Sequence, residues 1–125
     1  MTTFPIRLTA LALFAFVAVI GCGPSGAAPE SVPLTEAPGK VKQAFDRSAA
    51  DVKKAADDAS QALADGAYDV SLGRLADLSS RTDLSAEQRQ ALAQSRIAVM
   101  KKLQEQAAAG DAKANQIMEL HRASK

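Results

Sequence analysis

The chain has 125 residues, 15 basic and 14 acidic side chains, one Cys, one Tyr and no Trp, a size that sets a scale of one small domain. Setting aside Arg7, which belongs to the leading apolar segment, leaves 14 basic against 14 acidic groups, and a neutral surface this poor in stacking rings is not that of a nucleic-acid binder. The single Cys rules out an internal disulfide.

Residues 1–21 read as an export segment. Arg7 precedes Leu8–Ile20, 13 residues without a charge. As a helix this run spans about 20 Å, short of the roughly 30 Å hydrocarbon core. It therefore has the length of a signal-peptide h-region rather than of a membrane span.

Val19-Ile20-Gly21-Cys22 closes the run. These four residues resemble the lipobox of bacterial lipoproteins: an aliphatic residue, a small or branched one, Gly or Ala, then Cys. The resemblance implies that the Cys22 thiol takes a diacylglyceryl group and that Val19, Ile20 and Gly21 are recognised by the signal peptidase. Cleavage between Gly21 and Cys22 then makes Cys22 the first residue of the mature protein. Two or three acyl chains give stable attachment, at about 0.8 kcal/mol per buried methylene. Gly23, standing where Asp would act as a retention signal, implies by the same resemblance an outer-membrane location facing the periplasm.

Residues 22–39 follow as the lipidated Cys and a flexible linker rich in Pro, Gly and Ala. Pro24, Pro29, Pro33 and Pro38 each remove a backbone donor and disfavour helix in the residue before. The 17 residues Gly23 to Gly39 reach about 55 Å fully extended and about 20–25 Å as a coil.

Residues 40–125 read as an Ala-rich helical body, with 18 large apolar side chains in 86 residues. Ala favours helix but contributes little buried area, so the core is thin. The spacing of Val41, Phe45, Ser48, Val52, Ala55, Ala59 and Ala62 predicts one long first helix from about Gly39 to Asp65. Lys53-Lys54 and Asp57-Asp58 lie off that stripe, on solvated faces. Gly66 ends the helix.

Tyr68, Leu72, Leu75 and Leu78 then share one face of a second helix, with small Ser71 beside them. The succession of Gly, aromatic, small residue and Leu resembles a tetratricopeptide-like helical hairpin. It occurs once, which implies an αα-hairpin rather than a repeat array. Gly73 interrupts this helix at a cost of about 1 kcal/mol relative to Ala.

Ser85-Ala86-Glu87-Gln88 has the pattern of a capping box. It predicts a third helix from Ala86 to about Ala109, whose broad stripe of Leu92, Ile97, Val99, Met100 and Leu103 suits two neighbours. Gly110-Asp111 separates it from a fourth helix, Ala112 to His121. The fold class expected is all-α, a three- or four-helix antiparallel bundle or hairpin stack.

The chemistry-bearing residues are few. His121 is the only histidine and falls in a helix's last turn, where a cation meets the dipole favourably. With one His and one Cys there is no transition-metal ligand set. No Gly-rich phosphate loop or nucleophile elbow occurs. No catalytic residue, cofactor or metal is therefore expected. What remains is a lipid-anchored body that binds another envelope protein or a second copy of itself. The alternative is a structural lipoprotein similar to the Braun type, Ala-rich and helical, in which Lys125 is joined to peptidoglycan. Gly66, Gly73 and Gly110 depart from that type's unbroken heptad.

Overall fold

The computed structural model describes residues 29–125. Among them are five α-helices and no strand: α1 Ala37–Phe45, α2 Ala50–Ala64, α3 Tyr68–Ser79, α4 Ala86–Ala108 and α5 Ala112–Ala123. The fold is all-α.

Local chemistry sets most of the boundaries. Gly66 and Gly110 have φ of 70° and 93°, the left-handed region that costs an L side chain roughly 1–2 kcal/mol. Each closes a Schellman motif. After α2, Ala67 N donates to the Ala62 carbonyl (3.0 Å) and Gly66 N to that of Leu63 (3.2 Å). After α4, Asp111 N donates to Gln106 and Gly110 N to Ala107, both at 3.0 Å. Asp111 then caps the next helix, its Oδ1 accepting from Ala114 N at 3.0 Å. The turn between α4 and α5 thus has no spare residue. The capping box forms as its sequence predicts: Gln88 N donates to Ser85 Oγ (3.1 Å) and Ser85 N to Gln88 Oε1 (2.9 Å).

Two expectations are corrected. The single long helix from Gly39 to Asp65 is two helices, broken at residues 46–49, where Ala49 is extended with ψ of 152°. The break lets α1 fold back along α2, and side chains from elsewhere satisfy the backbone carbonyls it frees. Lys53 Nζ donates to the Asp46 carbonyl at 3.3 Å and to Asp46 Oδ1 at 2.8 Å. Gln88 Nε2, already part of the α4 cap, donates to the Ala44 carbonyl (3.3 Å) and Ser48 Oγ (2.9 Å).

The second correction concerns the start of the body, which reaches back past Lys40. Glu36 N and Ala37 N both donate to the Pro33 carbonyl, at 2.9 and 3.2 Å. Ala37 is fully buried, and Val32 and Leu34 pack on the core. Two apolar side chains between prolines are enough to hold this stretch as a strap along α4. A fixed φ also lowers the entropy that docking costs.

α1 and α3 each pack against both α2 and α4, which closes a ring of four. Cross-contacts fix the directions. Ser60 Oγ on α2 donates to the Pro38 carbonyl at the start of α1 (2.8 Å). Arg74 of α3 pairs with Asp58 of α2 (3.5 Å). Neighbours are antiparallel throughout. Phe45, Leu75, Leu92, Leu103, Val41 and Val99 fill the interior, each contributing about 1.5–3 kcal/mol by burial. Ala56, Ala59, Ala91 and Ala98 let the backbones approach closely. α5 stands outside the ring and packs on α4, so α4 has three neighbours where its stripe predicts two.

Candidate functional site

α5 runs antiparallel to α4, as α3 does, so α3 and α5 are parallel to each other on one side of α4. Between them lies an open cleft of about 380 Å³. One wall is Asp69, Leu72, Gly73 and Ala76 from α3; the other is Ile117, Leu120 and His121 from α5 with its C-cap Ser124. Both sets step by three, one and three residues, so each wall is a single face of a regular helix. Arg96 of α4 and Lys125 complete the lining. A smaller hollow of about 110 Å³ continues the gap past Ile117 toward Tyr68, Gln106 and Asp111.

The walls are mainly apolar or small. Leu120 is 64% exposed, a large apolar side chain left in water. A Cβ built on Gly73 meets no atom within 4 Å, so the cleft is open there to a close approach.

Its electrostatics are one-sided at one end. None of the ion pairs among the described residues includes Arg96 or Lys125. Both raise the local potential at half-buried His121. Its imidazole pKa is lowered from the ordinary value by burial first, then by Lys125 and Arg96. His121 is thus in the last turn of α5, as the sequence predicts, and it faces two cations. Asp69, Asp111 and Lys113 are near the opposite end of the gap.

Of the residues singled out in the sequence, Val19, Ile20, Gly21 and Cys22 lie outside the described residues. Lys125 follows the end of α5, is exposed, and lines the cleft. Lys53 and Lys54 form surface pairs with Asp46 and Asp58 at 2.8 and 3.0 Å, of the kind that contributes little to stability. Among the described residues, no group of three or more His, Cys, Asp or Glu side chains is placed to hold a metal ion. No helix among them is long and apolar enough to cross a membrane.

Arg96, Gly73 and Leu120 are the cleft residues that sequence reasoning passed over as sites. Leu120 carried the one available signal, being apolar in a helix too poor in apolar residues to bury it. No protein-family model, curated protein or solved structure matches the chain.

Proposed function

We propose that the chain is a lipid-anchored lipoprotein of the bacterial envelope whose helical body is a non-catalytic module for binding another protein. The observation that carries the module is the α3–α5 cleft, an open gap with apolar walls and an exposed Leu120. Exposed apolar surface bounded by polar groups marks interaction sites. The lipobox resemblance of Val19-Ile20-Gly21-Cys22 supports the anchor. Cys22 carries the lipid in this reading, and the body faces the periplasm from the outer membrane.

Two measurements test the two halves. Cys22→Ala is expected to leave an unprocessed precursor lacking the mass of the lipid, read by mass spectrometry of the membrane fraction. A processed, lipid-bearing Cys22→Ala protein refutes Cys22 as the lipidated residue, and a wild-type chain without the lipid mass refutes the anchor. For the module, the detergent-extracted chain is expected to migrate with a defined partner in size exclusion; migration as a lone monomer after gentle extraction counts against it.

A structural role at peptidoglycan is the second reading. The observation in its favour is the exposure of Lys125 beyond the end of α5, which leaves its amine open to an enzyme. Against it stands the partition of the body into five helices rather than one rod. Muropeptides from wild-type cells are expected to carry no peptide of this chain; a Lys125-linked product reverses the order of the two readings.

A further inference from the structure

We infer that the α3–α5 groove receives an amphipathic helix of a partner protein, laid antiparallel to α3 and α5 with Asp or Glu in its first turn. The inference rests on the reading of the body as an interaction module and names what that module takes.

The shape argues for a helix. Each wall is an i, i+3, i+4, i+7 face, and such ridges are what the side chains of a third helix interlock with. α3 and α5 have 12 residues each, about 18 Å of wall, which matches three turns of an occupant. Gly73 and Ala76 are small, so the incoming backbone comes close on that side, while Leu72, Ile117 and Leu120 supply apolar contact.

Charge sets the direction. Arg96 and Lys125 stand at the end of the groove where α3 and α5 finish, and neither has a carboxylate partner among the described residues. A helix antiparallel to both walls begins at that end. Acidic residues are favoured in a helix's first turn by its own dipole, so the carboxylates that stabilise the occupant's start are the ones that meet Arg96. The far end has Asp69 and Asp111 against the single cation Lys113, a net negative end that disfavours the same carboxylates if the helix is reversed. Charge complementarity thus fixes the orientation more than the affinity.

The probe is a synthetic, Ala-based helix of about fourteen residues, long enough to form on a surface though marginal alone. It has Leu at i, i+3, i+4 and i+7 and Glu in the first turn. A second peptide has Lys at the Glu positions, and a third has the Glu residues in the last turn. Binding to the full chain in detergent is read by fluorescence anisotropy. The first peptide is expected to bind about tenfold more tightly than either of the others. Arg96→Glu is expected to reverse the Glu-over-Lys preference, and Gly73→Leu to block all three. Circular dichroism checks that both variants stay folded. Equal binding of the three peptides, or a preference unmoved by Arg96→Glu, overturns the inference.

A photo-crosslinking residue in place of Gly73, compared in cells with one in place of exposed Gln61 on α2, separates this inference from the reading beneath it. Crosslinks to a partner from position 61 alone overturn the groove and keep the module. No crosslink from either position overturns both.

Discussion

The ring of α1 to α4 and the outlying α5 are made of similar residues and are held very differently. In the ring, Phe45, Leu75, Leu92 and Leu103 are each buried to within 1%. In α5 only Ala114 is fully buried, Ile117 and Met118 are half-covered, and Leu120 stays in water. α5 owes its position to a cap, a tight turn and one neighbour. The contrast shows where a thin core was spent: on closing four helices, with the fifth left largely uncovered. Sub-global opening follows such differences, and the least buried element opens first.

The largest expected effect breaks the ring. Phe45→Ala removes the largest fully buried side chain and is expected to cost about 3–5 kcal/mol, enough to unfold most of a body this size in thermal denaturation. If it costs no more than the same truncation at Ile117, the contrast between ring and wall is wrong. A smaller effect is expected at Gly110→Ala, which puts a Cβ at φ of 93°. The cost is about 1–2 kcal/mol, and hydrogen exchange is expected to quicken in α5 well ahead of the ring. Uniform quickening of all five helices contradicts independent opening.

The smallest effect is one of pH. The folded pKa of His121 lies below its unfolded value of about 6.5, so the unfolded chain binds that proton more readily. The associated stability is complete above the unfolded pKa and is lost as pH falls through it toward the folded value. Hydrogen exchange in α5 is expected to quicken as pH falls below about 6.5 in the wild type, and His121→Gln to remove that step. A variant that keeps the step places its origin elsewhere.

Much of this architecture is legible in the residues. Gly66, Gly110 and the Ser85–Gln88 box announce helix ends by local chemistry alone, and the structure places turns and caps there. The break at residues 46–49 is not legible. Asp46-Arg47-Ser48-Ala49 contains no Gly or Pro, and the stripe runs on through Ser48. What stabilises the break comes from Lys53 and from Gln88, the latter some 40 residues away. The strap is hidden for the opposite reason: Pro33 and Pro38 read as spacer, while Val32 and Leu34 decide the outcome by packing. The groove needed tertiary information. Its walls are legible as faces, but which faces meet depends on α5 folding back across α4, and Arg96 gains its setting only then.

The strap also carries a consequence for how the faces of α4 are shared. It meets α4 beside Ala98, Lys101, Lys102 and Glu105, whereas α4 presents Arg96, Leu103 and Gln106 to the groove and its extension. At 3.6 residues per turn Arg96 and Leu103 lie across the helix from the strap's contacts, with Gln106 between the two sets. The strap and the groove therefore draw on different faces of α4, and the groove fills without displacing the strap.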